Sequence, residues 1–311
     1  MPNYPPDIWF PNLNIWFQNV PRYVISIGGF EIYWYAVMIV LGIICAAGIA
    51  FIYAHKTGQK VSDYMDLLIL GIILAFIGLR LYYLAFNWDN HRGRNFFVVL
   101  FNFREGGLAI YGGILGALLA GYIISRRKRI PITTITDTAG PSLALGQAIG
   151  RFGNFFNREA FGGYTDGLFA MRIRVDQAMY TTPELMERVY TFAGVEYIQV
   201  HPTFLYEAVF NFILVTALVL YRPHKRFAGE MIFLYMLGYG AARFFIEGLR
   251  TDQLIFWGTG LPASQIVSVL FVLFAAVMLF LGYTGRFKAK TEADMEPVKV
   301  GRKKRKGRRK K

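Results

Sequence analysis

The chain has 311 residues, 55% hydrophobic and 17% charged, with a net charge of +14 and a single cysteine. This composition excludes a disordered chain and a disulfide-stapled scaffold. Long uncharged stretches such as 32–54 and 106–125 reach the length of about 20 residues needed to cross a hydrocarbon core, so the sequence predicts a polytopic membrane protein.

In chain order, residues 1–31 lack a basic stretch followed by an apolar core, which argues against a cleaved signal peptide. Their Trp9, Phe10, Trp16 and Phe17 predict an extracytoplasmic segment at the membrane interface. Residues 32–285 follow as the transmembrane domain, with spans at 32–54, 65–87, 106–125, 131–151, 203–221, 231–249 and 263–285. Cys45 lies in the first span and reads as a small packed residue. Between spans 4 and 5, residues 158–200 alternate at MRIRV and turn helical around PELMERVYTFAG, predicting a small extracytoplasmic cap. The fold expected is therefore all-α and polytopic, with seven transmembrane helices and a cap between spans 4 and 5.

Alternate loops, together with the tail 286–311, hold 22 of the 34 Lys and Arg residues and the opposite loops hold nine. The positive-inside rule then places the N-terminus outside and the tail in the cytoplasm. The tail has 13 basic and 3 acidic residues. It reads as an arm against anionic inner-leaflet lipids, with nucleic-acid binding the weaker alternative.

Three arginines remain within spans or at their ends. At about 1.5 Å of rise per residue, Arg80 lies roughly 20 Å from the cytoplasmic side, Arg243 about 18 Å and Arg151 about 30 Å, all in the outer half. Tyr35, Tyr111 and Glu207 come to the same layer. An arginine in a bilayer is costly and faces a bundle interior or a polar cavity. Each has a structural alternative: Arg80 snorkelling to the interface, and Arg243 pairing with Glu247 four residues on. Three in one layer favour an anion site.

The stretch GQAIGRFGNFFNREAFGG (146–163) joins a small-residue face at Gly146 and Gly150 to Arg151, Asn154, Asn157 and Glu159. That set suits a ligand with phosphate and hydroxyl groups, and equally a capped helix end with a hydrogen-bonded turn. A lipid or organic-anion transporter is the rival class, weakened by the absence of an inverted repeat. The sequence has no His, Cys and carboxylate cluster at metal-ligand spacing, no phosphate loop and no nucleophile elbow, so neither a metal nor a cofactor is expected.

GRFGNFFNREAFG, HPTFLYE (201–207), YGAARFFIEGLR (239–250) and GGLAIYGG (106–113) resemble the signature segments of the prolipoprotein diacylglyceryl transferases, in the same order. The resemblance implies a seven-helix enzyme of the bacterial cytoplasmic membrane that moves diacylglyceryl from phosphatidylglycerol to the lipobox cysteine beside a prolipoprotein signal peptide. It further implies lipid binding by Arg151, an essential Arg243, and functional positions at Tyr35, Asn154 and Glu159. Asn157, Arg80, His201 and Arg250 join the candidate substrate contacts, with Glu207 and Glu247 orienting the arginines. Some members carry histidine where this chain has Tyr111. A tyrosine with a reference pKa near 10 is a poor base, so Tyr111 is expected to donate a hydrogen bond instead. The base remains open among Tyr111, His201 and none.

Overall fold

The structure is a computed structural model and describes residues 2, 4–102, 106–256 and 258–287. Apart from Arg286 and Phe287, the basic tail lies outside the described residues. Among those residues the chain is mostly helical, with α1 Trp34–Lys56, α2 Val61–Asn87, α3 Phe96–Phe101, α4 Ile110–Lys128, α5 Ile132–Asn157, α6 Pro183–Met186, α7 Thr203–Tyr221, α8 Glu230–Leu249 and α9 Ala263–Tyr283. The helices α1, α2, α7, α8 and α9 are long and apolar enough to cross a membrane. The other two long helices are more polar. Arginines and a lysine close α4, while α5 carries Asp137, Gln147 and Arg151.

Backbone contact between small residues sets the helix pairs. A Cβ added to Gly112 on α4 would collide with the Gly78 carbonyl of α2, so the two backbones touch there. On α1 a Cβ at Gly42 would fall 2.8 Å from the Gly146 carbonyl oxygen of α5, and this is the close approach expected of Gly146. Gly150 has nothing within 4 Å of such a Cβ and takes no part. With α1 against one side, α5 also packs on α7 and α8, and α8 packs on α9.

The fold is not purely helical. Strands β1 Ile8–Phe10, β2 Ile15–Phe17, β5 Met171–Arg174, β6 Tyr190–Phe192 and β7 Val195–Val200 form one antiparallel sheet in the order β2-β1-β5-β7-β6, and β3 Tyr23–Ile27 pairs with β4 Phe30–Tyr33 in a separate hairpin. Residues from 1–31, read from sequence as an interfacial segment, thus share a sheet with residues of 158–200. Trp9 is buried, with the Arg172 guanidinium 4.7 Å from its ring centre, whereas Trp16 and Phe17 stay exposed. Three-residue strands give too short an alternation to register as a pattern.

The helical reading of PELMERVYTFAG is corrected: only Pro183–Met186 is helical, and Tyr190–Phe192 is a strand. Ala193 and Gly194 have φ of 48° and 78°, the left-handed pair that turns a chain tightly into its antiparallel neighbour β7. In β5, Met171 and Ile173 are buried while Arg172 and Arg174 are half-buried, the period of two of a one-sided strand. The cap core of Ile8, Phe10, Phe161, Ile173, Ile198 and Val200 continues into Phe204 of α7 and Phe155 of α5. It therefore holds the ends of those helices together.

At the other end of the bundle, the fully buried Asp137 of α5 accepts from Met231 N at 2.9 Å, Gly229 N at 2.8 Å and Lys225 Nζ at 2.9 Å. A carboxylate from one helix thereby supplies the acceptor for the unpaired N–H groups that open α8. Glu230, also fully buried, accepts from Tyr221 at 2.6 Å and from Tyr283 at 2.7 Å, joining α7 and α9 to the same end. Asp137→Ala is expected to cost about 3 kcal/mol, because it strands a lysine and two backbone donors. A thermal unfolding midpoint in detergent equal to that of the parent would show that α8 does not depend on this cap.

Candidate active site

At the cap end, residues from three helices meet on one carboxylate. Glu207 follows the Pro202 N-cap of α7 by one turn and is 2% exposed. Its Oε1 lies 2.7 Å from Arg151 Nη2 on α5, and its Oε2 lies 2.9 Å from Arg243 Nη1 on α8. The Tyr239 hydroxyl donates to Oε1 at 3.3 Å. Arg243 also reaches Glu247 Oε2 at 2.5 Å along its own helix, the i,i+4 pair weighed from sequence. Arg250 Nε stands 4.0 Å from that same oxygen and is held mainly by Asp252, with contacts of 2.8 and 2.6 Å.

The turn leaving α5 completes the group. Asn154 Nδ2 and Asn157 Nδ2 each donate to Glu159 Oε1 at 3.0 Å, and Asn154 Oδ1 lies 3.5 Å from Arg151 Nη1. Arg158 between them has a φ of 54°, the left-handed close of the helix. Tyr35 packs where Gly153 has no side chain: a Cβ there would lie 2.7 Å from the tyrosine ring. The helix end with a hydrogen-bonded turn, one of the two sequence alternatives for 146–163, is present, and the same turn brings Arg151, Asn154, Asn157 and Glu159 together.

His201 lies beside this turn, exchanging backbone hydrogen bonds with Gly162 and Gly163, and its Nδ1 is 3.3 Å from the Tyr206 hydroxyl. Burial pushes its imidazole below its usual value, which leaves it neutral at pH 7.

Arg80 is placed elsewhere. Its Nε and Nη2 donate to the Val99 carbonyl of α3 at 3.0 and 2.8 Å, and its Nη1 donates to Gly106 O and, at 3.1 Å, to Gly107 O. With the Tyr83 ring 5.4 Å away and 1% exposure, its guanidinium is occupied in binding α3 and the start of the α4 approach to α2. Helix rise gave its depth but not its azimuth, and α2 turns it away from the α5, α7 and α8 cluster. Tyr111 belongs to the same α2 and α4 pair, its ring 6.2 Å from that of Tyr82. A cavity of about 360 Å³ is lined by Val20, Pro21, Arg22, Tyr23, Arg158, Asp176 and Gln177, and so by none of the residues that hold Glu207.

Sequence reasoning overlooked Tyr239 and the Tyr235 hydroxyl that donates to Gln147 Oε1 at 3.0 Å. Polar tips one turn apart on α8, facing a glutamine in α5, were the available signal. No group of three or more His, Cys, Asp and Glu residues able to hold a metal occurs among the described residues.

The sequence model of the family described as prolipoprotein diacylglyceryl transferase matches residues 22–281. The chain belongs to that family. It is 36% identical over 84% of its length, and 86% of the relative's, to a phosphatidylglycerol–prolipoprotein diacylglyceryl transferase of Halalkalibacterium halodurans. A protein of the same name from Finegoldia magna is 37% identical over 84% of this chain and 95% of its own. One from Clostridium novyi is 36% identical over 82% and 93%. For this transferase-family chain, Arg80→Ala is expected to cost about 2–4 kcal/mol of stability, since three carbonyls lose a charged donor. An unchanged melting curve with turnover abolished would return Arg80 to the site.

Proposed function

We propose that this chain transfers the sn-1,2-diacylglyceryl group of phosphatidylglycerol to the lipobox cysteine thiol of prolipoproteins, the first step of lipoprotein maturation. Membership of the family supports the reaction. The observation that carries its location is the joining of Arg151, Glu207, Arg243 and Glu247 from α5, α7 and α8 at the end of the bundle nearest the cap.

In the reaction the cysteine sulfur bonds to the glycerol carbon as that carbon's bond to the phosphate oxygen breaks. The thiol proton is balanced on the glycerol phosphate released. Negative charge grows on the leaving phosphate, and fixed guanidinium donors stabilise that growth more than they stabilise the diester. Arg151 is assigned to the phosphate, because its side chain is the most exposed of the arginines here at 22%, against 13% for Arg243 and 12% for Arg250. Arg243 is assigned to the same charge, Asn154, Asn157 and Glu159 to the headgroup hydroxyls, and Tyr35 to the edge of the lipid site. Tyr111 would donate to the phosphate or thiolate from the α4 side. His201, beside the turn that leaves α5, is the histidine candidate for the base.

The membrane reading extends the five apolar helices to seven spans by adding α4 and α5, which run between them. The N-terminus and cap would be extracytoplasmic and the tail cytoplasmic, against anionic lipid, in a bacterial inner membrane. Residues 1–31, the helical domain 32–285 and the tail 286–311 then divide the chain by environment.

The decisive assay combines the purified protein, phosphatidylglycerol and a lipobox peptide. A thioether-linked diacylglyceryl peptide and free glycerol phosphate are the expected products, whereas a transporter makes neither. Arg151→Ala and Arg243→Ala should each lower kcat/KM by at least about 100-fold with the helical circular dichroism retained. Near-parental turnover in either variant removes that residue from the mechanism. Tyr111→Phe is expected to lower kcat more than it raises KM for the lipid, and identical kinetics would confine Tyr111 to packing against Tyr82.

A further inference from the structure

One polar side chain in the helix core has no use in the mechanism above. Asn211 of α7 is 0% exposed, and neither its Nδ2 nor its Oδ1 has a hydrogen-bond partner. Its neighbours along the helix are Leu214, Val215 and Leu218, which pack with Ala144, Met231 and Tyr235. An apolar residue would suit that setting better, because a carboxamide without partners is costly where no water competes for it.

Position relative to Glu207 supplies a use. The two residues are four apart on one helix, both buried on the stripe that faces α5 and α8. Side chains at this spacing are neighbours, and each leans toward the helix N-terminus, so the Asn211 carboxamide leans toward the turn that carries Glu207. At rest Glu207 needs no help, since Arg151, Arg243 and Tyr239 satisfy its oxygens. That changes when a lipid phosphate draws one guanidinium away. A buried carboxylate then loses a charged donor, and a replacement must come from protein within side-chain reach.

We propose that Asn211 is a positioning residue, whose amide receives the Glu207 carboxylate when phosphate takes a guanidinium from it. The ligand chemistry is that of a phosphodiester monoanion, so the idea rests on the functional reading given above. Asn211 would hold no substrate atom. It would lower the cost of parting the resting ion pair and so strengthen lipid binding.

The test is a double-mutant cycle read by equilibrium binding, which does not require turnover. Dissociation constants for short-chain phosphatidylglycerol would be measured for the full chain, Asn211→Leu, Glu207→Gln and the double variant. Asn211→Leu is expected to weaken binding about tenfold while its melting temperature holds or rises, since an unpaired amide is replaced by an apolar isostere. In the Glu207→Gln background, which has no carboxylate to receive, the same change should alter binding by less than about twofold. Additive losses, or an Asn211→Leu protein that binds like the parent, would overturn the proposal. Asn211→Ala carries the same comparison should the leucine variant fail to fold. Failure of the unmodified protein to transfer diacylglyceryl would remove the functional reading itself, whereas normal transfer with additive binding losses removes only the role of Asn211.

Discussion

The cap end of this bundle depends on one carboxylate. Glu207 sits between guanidiniums from two other helices, 2.7 and 2.9 Å away, with 2% exposure. Without it, Arg151 and Arg243 would be like charges in a medium of low dielectric, each paying desolvation and repelling the other. With Glu207 and Glu247 present, two positive and two negative side chains cancel. The ion pairs also fix helix order, because α5 and α8 must both face α7 at the same level.

The two ends of α8 use acidic side chains differently. At its start, Asp137 and Glu230 are saturated by backbone, lysine and tyrosine donors, and this part of the structure is closed. Near its finish, Arg243 retains partial exposure and Arg151 more, so this end is the more accessible of the two. A helix held rigidly at one end can present an arginine at a defined place at the other. The sheet contributes at the same end, since Phe204 and Phe155 join the ends of α7 and α5 to its apolar core. Fold and site are thus coupled through helix ends.

Much of this was legible in the sequence, and the failures have identifiable causes. Each of the seven long helices overlaps a span expected from the sequence, five of them apolar enough to cross a membrane, although α5 runs six residues past the expected end. Counting rise along antiparallel helices put Arg80, Arg151, Arg243, Tyr35, Tyr111 and Glu207 in one layer, of which Arg151, Glu207 and Arg243 meet in ion pairs, and the i,i+4 spacing gave the Arg243 contact with Glu247. The contacts of Arg80 were not legible, because depth constrains only one coordinate and its partners are backbone carbonyls that no residue pattern reveals. MRIRV alternates visibly, but the sheet was missed because its strands pair residues as distant as Ile8 and Ile173 and three of them are only three residues long. Asp137 was invisible for a related reason: its partners are main-chain N–H groups at a helix start nearly a hundred residues away.

A neutralised arginine pair is a different catalytic device from a bare cationic pocket. Free guanidiniums would bind any anion, and would hold the phosphodiester tightly before reaction, so that much of their binding strength would be spent on the ground state. Arginines already shared with a carboxylate discriminate by charge. In the proposed mechanism a diester with one negative charge would compete with Glu207 on similar terms, so the lipid would be held loosely. As the carbon–oxygen bond breaks, charge on the leaving phosphate would rise, and the balance of the guanidiniums would move from Glu207 toward the ligand. Stabilisation then increases along the reaction coordinate, which is where it accelerates the step. On this account the glutamates do more than make the arginines tolerable in a membrane: they convert binding strength into selectivity for the transition state.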